Sequence, residues 1–475
     1  MRILLAQAMR LPTKTALALA FLLGATASSP AATAIERVIS PSGIEAWLVR
    51  EPATPLIAID FAFRGGADED PADKSGVAHM AADLLDEGAG PLDGNEFHER
   101  LERNAIEMNF SVGRDFFRGS LRTLAEHRDI AVDLLRLALN EPRFEEEAVE
   151  RIRAQVLAAV RRASTNPYEL ASRGWWDAAF PGHPYGRQIR GTLESVAQIS
   201  VDDLKTYVRR TFARANLKIG VVGDIDAATL GQMLDRIFGA LPQTPELRAV
   251  AAATPQGLGQ FVRVNLDVPQ TVIQFGGPGL LRKDPDFIAA ALVNHVLSGG
   301  SLASRLYREV REKRGLAYSV HTGLYPFDHA GVFSGSTATR ADRAEETLEV
   351  ISREIARLGT DGPTEEELAK AKSYLKGAYA LNLDSSSKIA SQLVQLQLDD
   401  LGMDYVTRRV GLIDAVTLAD ARRVAKRMLG SPLLFAIVGR PAEAVAGEPS
   451  AIKPPGAVVP AVGTDAAGRG PVSLH

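Results

Sequence analysis

The sequence predicts an α+β fold of two similar domains, each a mostly antiparallel sheet with helices packed on it. The chain has 475 residues, more than a single hydrophobic core normally organises. Segments with strand periodicity, arranged in hairpin-like pairs, are mixed with long helical segments, and one such pattern occurs twice. No glycine-rich phosphate loop follows a predicted strand, so nothing in the sequence supports a nucleotide-binding fold.

The duplication is clearest at the end of each half, where a helical stretch precedes an apolar strand. Matching residues are separated by 217, 217 and 216 positions: Ser200 and Thr417, Asp203 and Asp420, and Gly223 and Gly439. A hydroxyl followed by an acid three residues later suits a helix start, because both groups stabilise the first turn. The near-equal offsets favour duplication over a chance likeness of two helix–strand units.

The halves also begin alike. Leu56–Phe63 and Thr271–Phe275 are predicted strands, and each is followed by a glycine-containing turn and a helix, at Lys74–Asp86 and Asp286–Leu297. Composition then sets the boundaries, which we place as follows: signal peptide 1–34, N-terminal domain 35–242, linker 243–260, C-terminal domain 261–442 and disordered tail 443–475.

The N-terminus has the features of a secretory signal. Its early charges are all basic, the apolar stretch Thr15–Thr26 follows, and Ala32-Thr33-Ala34 fits the A-x-A cleavage pattern. Ala25-Thr26-Ala27 fits it too, so the cleavage site stays open between the two. The apolar stretch is too short to span a bilayer comfortably. We expect a periplasmic protein with no membrane association after cleavage; a mitochondrial transit peptide is the alternative.

Composition narrows the chemistry. The formal net charge of −4, without a basic run, argues against nucleic acid as a partner. The absence of cysteine excludes disulfides and thiolate metal sites, so a metal would need carboxylates and some of the eight histidines.

The predicted helix at the start of the first half carries an incomplete metal motif. Ser75–Gly88 resembles the inverted zinc motif H-x-x-E-H of the pitrilysin and mitochondrial-processing-peptidase family. The resemblance places His79 at the first histidine, Ala82 at the general base, Asp83 at the second histidine and Ala159 at the third ligand. In the intact motif, two imidazoles on one helix face bind zinc while the glutamate reaches the metal-bound water.

These substitutions imply that this chain binds no zinc and hydrolyses nothing alone. Alanine offers neither a ligand nor a base at either position. We expect His79 to be a packed, hydrogen-bonded helix residue; a weak metal pair with Asp83 is the alternative.

A second resemblance to this family lies in Leu297–Val320, with its glycine-rich turn, S-R-L helix and G-L-A-Y strand entry. In active members an arginine and a tyrosine seven residues later reach across to the zinc site, and the matching residues are Arg311 and Tyr318. The resemblance implies that both bind the substrate carbonyl and stabilise the transition state. The alternative is a solvated helix charge and a core tyrosine.

The glycine-rich turn and nearby strands are further candidates for peptide binding. Gly299, Gly300 and Ser301 are candidate substrate-binding residues, although a plain turn fits equally well. His321–Pro326 and Gly331–Ala338 are candidate edge strands that a peptide would extend.

The resemblance covers about residues 36–440 and implies that the chain forms half of a clamshell. Some family members are heterodimers in which one chain carries zinc and the other the Arg/Tyr pair. The predicted function is therefore the substrate-binding, zinc-free subunit of a heterodimeric zinc metalloendopeptidase, with zinc in the homologous partner. The alternative is a non-enzymatic scaffold or peptide-binding protein; an active peptidase would need a base that the sequence does not offer.

Overall fold

A computed structural model describes residues 35–299, 303–381 and 383–440 of the chain. The predicted signal peptide, the predicted disordered tail, and Gly300 and Ser301 lie outside the described residues. Within those ranges, no helix combines the length and the apolarity needed to cross a bilayer.

The first half folds around a six-stranded sheet. The strands of this half are β1 (Ile35–Ile39), β2 (Glu45–Arg50), β3 (Leu56–Arg64), β4 (Gly88–Ala89), β5 (Leu92–Asp93), β6 (Glu107–Val112), β7 (Phe116–Leu124) and β8 (Leu217–Gly223). The sheet order is β1-β2-β8-β3-β7-β6, and β4 and β5 form a separate ribbon. Only the β2–β8 pair is parallel.

The second half repeats this topology with five strands. They are β9 (Phe261–Asn265), β10 (Gln270–Pro278), β11 (Ala317–Pro326), β12 (Gly331–Arg340) and β13 (Leu434–Gly439), in the order β11-β12-β10-β13-β9. Its parallel pair, β9–β13, corresponds to β2–β8. Of the six strands in the first sheet, β1 is the one without a counterpart among the described residues. The predicted α+β fold with two similar, mostly antiparallel halves is confirmed.

Helices cover both sheets. Those of the first half are α1 (Val77–Ala82), α2 (Gly94–Arg103), α3 (Arg128–Asn140), α4 (Glu146–Ala163), α5 (Pro167–Ala179), α6 (Leu193–Ala197), α7 (Val201–Thr211) and α8 (Ala227–Phe238). Those of the second are α9 (Phe287–Ser298), a π-helical turn (Tyr307–Glu312), α10 (Ala344–Asp361), α11 (Glu365–Leu381), α12 (Ser386–Leu398), α13 (Tyr405–Ala415) and α14 (Leu418–Leu429).

The two helix starts predicted from the repeat are full capping boxes. Ser200 accepts a hydrogen bond from the backbone N–H of Asp203, whose carboxylate accepts one from the N–H of Ser200, at the start of α7. Thr417 and Asp420 make the same pair of bonds at the start of α14. Equivalent residues therefore form the same helix cap in the two halves.

The two halves exchange one helix each. Helix α5 of the first half packs against β10 and β13 of the second sheet, whereas α12 of the second half packs against β3 and β8 of the first. Close approach of α12 depends on Gly220 in β8, where an added Cβ would lie 2.4 Å from the carbonyl oxygen of Ala390 and 2.8 Å from Cβ of Leu393. A division of the chain into two contiguous domains does not anticipate this exchange.

A buried polar contact fixes the β11–β12 hairpin to the first half. The phenol of Tyr185 donates to a carboxylate oxygen of Asp115 and accepts from the backbone N–H of His329, at 3.0 Å. The other oxygen of Asp115 accepts from the N–H of Asp328, at 3.1 Å. Tyr185 and Asp115 are both buried, so the tip of this hairpin is held by bonds shielded from water.

Gly220→Ala tests the helix exchange. We expect the free energy of unfolding to fall by about 1–3 kcal/mol, because α12 must move away from β8 to make room for the methyl group. Gly377→Ala is the matched control, because this glycine lies within α11 and an added Cβ would meet nothing within 4 Å. It should stabilise the chain by up to about 1 kcal/mol. Urea unfolding measures both, and an unchanged midpoint for Gly220→Ala would contradict the close contact.

Candidate functional site

The incomplete metal motif lies on α1, whose start is fixed by a buried acid. The carboxylate of Asp70 accepts hydrogen bonds from the backbone N–H groups of Gly76, at 2.7 Å, and Ala78, at 2.9 Å. Helix α1 has six residues and ends before Asp83, so it is shorter than the helix predicted over Lys74–Asp86. The capping acid holds α1 in one orientation beside β6 and α4.

His79 and Asp83 face each other without a hydrogen bond. Nε2 of His79 lies 3.7 Å from Oδ2 of Asp83. Burial, with a smaller contribution from the positive charge of Arg190, lowers the pKa of His79 to about 4. Burial also raises the pKa of Asp83 to about 6, against the opposing effect of Arg190. His79 is therefore neutral near pH 7, and a guanidinium, rather than a third ligand, supplies the nearby charge.

The remaining motif positions offer no metal ligand. Ala82 is buried in α1, and Ala159 lies on α4, which contacts α1. Among the described residues, no group of three or more histidines, aspartates or glutamates is placed to hold a metal ion. Zinc does not fit this site, because two potential donors 3.7 Å apart fall short of the three protein ligands that a catalytic zinc requires.

The structure brings Arg311 and Tyr318 together. Arg311 belongs to the π-helical turn and Tyr318 to β11, where a break in the register between Ala317 and Val320 releases the strand from regular pairing. Cζ of Arg311 lies 4.5 Å from the centre of the Tyr318 ring. Tyr318 is 81% exposed, which rules out the alternative interpretation of a core tyrosine.

The two acids on the π-helical turn, Glu309 and Glu312, form no ion pair with Arg311. The carboxylate of Glu309 accepts from Nζ of Lys313, at 2.5 Å, and from Nη1 of Arg314, at 2.6 Å. These hydrogen bonds, that of Lys313 first, lower the pKa of Glu309 to about 2. Arg311 makes no side-chain hydrogen bond or ion pair with any described residue. Its N–H donors therefore remain available to a ligand.

In the glycine-rich turn, Gly299 is required by the local structure. It caps the C-terminal end of α9. A Cβ there would lie 2.2 Å from Nδ1 and 2.4 Å from Cα of His295, so the tight approach excludes any side chain. The contribution of Gly300 and Ser301 to peptide binding falls outside the described residues.

The edge strands differ from those expected. Gly331–Ala338 lies within β12, between β11 and β10, so the expectation of an edge there was wrong. Strand β11 is an edge, but its carbonyls are partly occupied, because Ser298 donates to Val320 at 2.8 Å and Asn294 donates to Thr322 at 3.3 Å. Helix α9 thus covers part of the edge that a peptide would need.

The sequence interpretation missed the edge strand β6, which lies beside α1. The N–H of Gly113 donates to the carbonyl of Phe116 at 2.8 Å. This bond shows which alternate residues of β6 are hydrogen-bonded to β7 and which are not. Alternation of an antiparallel ladder then directs the backbone N–H and C=O groups of Met108, Phe110 and Val112 outward. The apolar/polar alternation of Glu107–Val112 predicts a strand, but nothing in it indicates an edge.

Comparison with known proteins identifies one family over most of the chain. Residues 47–193 match the profile described as Insulinase (Peptidase family M16), and residues 198–375 match that described as Peptidase M16 inactive domain. An uncharacterized zinc protease of Streptomyces coelicolor is 24% identical over 417 residues, covering 85% of this chain and 89% of that protein. A Helicobacter pylori protein named non-peptidase homolog YmxG is 27% identical, covering 70% of this chain and 77% of its own.

Solved structures agree with these matches. A Pseudomonas fluorescens structure described as a peptidase M16 inactive domain superposes with a TM-score of 0.81 at 26% identity, covering 86% of this chain and 98% of that one. A Helicobacter pylori protease shares the fold, with a TM-score of 0.77 at 21% identity over 86% of this chain and 99% of that one. With its base and third-ligand positions both alanine, the chain belongs to peptidase family M16 as a non-catalytic member.

Proposed function

We propose that this chain is the substrate-binding, zinc-free subunit of a heterodimeric zinc metalloendopeptidase. The observation that carries the proposal is the pairing of Arg311, whose donors have no partner among the described residues, with the exposed Tyr318. A purely structural subunit would have no use for a guanidinium without an ion-pair or hydrogen-bond partner beside an exposed phenol. The partner is a homologous chain with an intact H-x-x-E-H motif, which holds the zinc.

The roles of the two residues follow from their donor chemistry. The guanidinium of Arg311 offers a planar set of N–H donors with a permanent positive charge, and Tyr318 offers one O–H donor. Aimed at the scissile carbonyl from across the subunit interface, they would hold the substrate and stabilise the negative charge that develops on its oxygen. Zinc held by the partner would supply the activated water, and Arg311 and Tyr318 would serve the substrate carbonyl alone.

The open edge β6 supports binding of an extended peptide. Main-chain hydrogen bonds to a free edge bind a peptide with little demand on its side chains. The side chains of Met108 and Val112 are buried in the core, so they fix the strand while their backbone groups face outward. A peptide would add to this edge as a seventh strand of the first sheet.

Reconstitution tests the proposed subunit. The chain should be inert toward unfolded casein until it is mixed with a homologue that carries an intact H-x-x-E-H motif. In the mixture, Arg311→Ala and Tyr318→Phe should each lower kcat/KM by about 10²–10³-fold, the usual loss when a donor to a developing oxyanion is removed. Arg308→Ala is the matched control, because this exposed arginine lies on the same turn and should leave the rate unchanged.

Two results would contradict the proposal. One is full activity of the mixture after both substitutions. The other is stoichiometric zinc and casein cleavage by the isolated chain, measured by elemental analysis and peptide mapping after removal of all other proteins. A stable complex that cleaves nothing in any combination would instead support the non-enzymatic scaffold.

Hydrogen exchange tests the peptide edge directly. Saturation with unfolded casein should slow exchange of the outward amides of Met108, Phe110 and Val112, because a new strand would protect them. The amides of Asn109 and Ser111, which point into the ladder, serve as internal controls and should change little. Residue-level exchange by mass spectrometry measures both sets, and unchanged outward amides at saturation would exclude strand addition at β6.

We also propose export to the periplasm. The basic start, the apolar stretch and the A-x-A site support it. Cleavage after Ala34 would leave every described strand intact. Protein recovered from a periplasmic extract should therefore begin at Ile35, or at Ser28 if the earlier site is used, as N-terminal sequencing would show. An uncleaved Met1 in the soluble cell fraction would contradict export.

A further inference from the structure

The guanidinium of Arg311 lies within cation–π distance of two tyrosine rings. Its Cζ lies 5.0 Å from the ring centre of Tyr307 and 4.5 Å from that of Tyr318. Tyr307 lies four residues before Arg311 on the π-helical turn and is half-buried, whereas Tyr318 is almost fully exposed. One ring is thus anchored in the fold and the other stands in solvent.

The backbone explains how the rings reach the same guanidinium. The N–H of Lys313 bonds to the carbonyl of Arg308 at 2.9 Å, the i→i+5 spacing of a π-turn. Gly315, with φ at +58°, then reverses the chain into β11. This reversal brings Tyr318 back over the turn that carries Arg311 and Tyr307.

Stacking positions an arginine without using its donors. A carboxylate partner would also hold the side chain, but it would accept the N–H groups that a substrate carbonyl needs. A ring beneath the guanidinium face attracts the cation and leaves the N–H edge open. Of the two acids on the same turn, Glu309 is bound by Lys313 and Arg314, and Glu312 forms no ion pair with Arg311. Among the described residues, the two rings are therefore the contacts that position the guanidinium.

We infer that Tyr307 is a positioning residue for Arg311, which acts through its ring face and needs no hydroxyl. This inference rests on the proposed function, because it assigns Tyr307 to the same substrate site. Tyr307 itself does not touch the substrate. It limits the guanidinium to the orientations in which its donors face the exposed side of Tyr318.

The test uses the reconstituted pair and unfolded casein. Tyr307→Phe should keep most of the activity, since the ring face remains, whereas Tyr307→Leu should lower kcat/KM about fivefold, as expected for the loss of one exposed cation–π contact. The double variant Tyr307→Leu with Arg311→Ala should be no slower than Arg311→Ala alone, because Tyr307 acts only through Arg311. Tyr168→Leu is the matched control, as this 51% exposed tyrosine has no cation over its ring among the described residues.

The outcomes separate this inference from the proposed function. If Arg311→Ala has no effect, the proposed function fails. If Arg311→Ala is impaired but Tyr307→Leu matches the wild type, or the double variant is slower than Arg311→Ala by a further fivefold, the positioning role is overturned while the function stands. A drop in Tyr307→Phe equal to that in Tyr307→Leu also overturns it. Tyr307→Met replaces Tyr307→Leu in the same comparisons if the leucine variant melts early.

Discussion

The exchange of helices between the halves is the constraint on which the rest of the structure depends. Because α5 covers the second sheet and α12 covers the first, the halves cannot separate without exposing an apolar face of both sheets to water. Gly220 allows α12 to approach β8 closely, and the buried bonds of Tyr185 tie the β11–β12 hairpin to the first half. The degenerate helix α1 and the Arg311/Tyr318 pair are therefore held in one fixed arrangement within the chain.

The two halves of the chain carry different functional groups. In the first, Asp70 still fixes the start of α1 and thus preserves the frame of a metal site. This frame does not form a metal site among the described residues, because Asp83 and Ala159 stand at the positions of the second and third ligands. Ala82 replaces the base that would take a proton from water. In the second, Arg311 and Tyr318 remain together and accessible. The physical difference is that stabilising a charge needs only donors in place, whereas activating water needs a metal and a base.

Features that depend on residues close in the sequence were predicted well, whereas features that depend on pairing between distant segments were not. The hydroxyl–acid pairs at Ser200 and Thr417 predicted helix starts correctly, since capping depends on residues three positions apart. Gly331–Ala338 was predicted correctly as a strand, but its place within the sheet was not, because edge or interior position depends on pairing with β10. The same limit hid β6 and the exchange of α5 and α12. Arg311 and Tyr318 were found only through the family resemblance, since spacing alone would not place a helix residue beside a strand residue.

Stacking suits the work proposed for Arg311 better than an ion pair would. An arginine held by a carboxylate must break or share that bond when a neutral peptide carbonyl arrives, and a carbonyl is the weaker acceptor. The rings of Tyr307 and Tyr318 compete for the face of the guanidinium and not for its N–H groups, so binding a carbonyl sacrifices no hydrogen bond. Glu309 binds Lys313 and Arg314 instead, and neither Glu309 nor Glu312 on the same turn forms an ion pair with Arg311. An uncommitted, oriented donor is what a chain needs when the atoms it must stabilise are activated on another subunit.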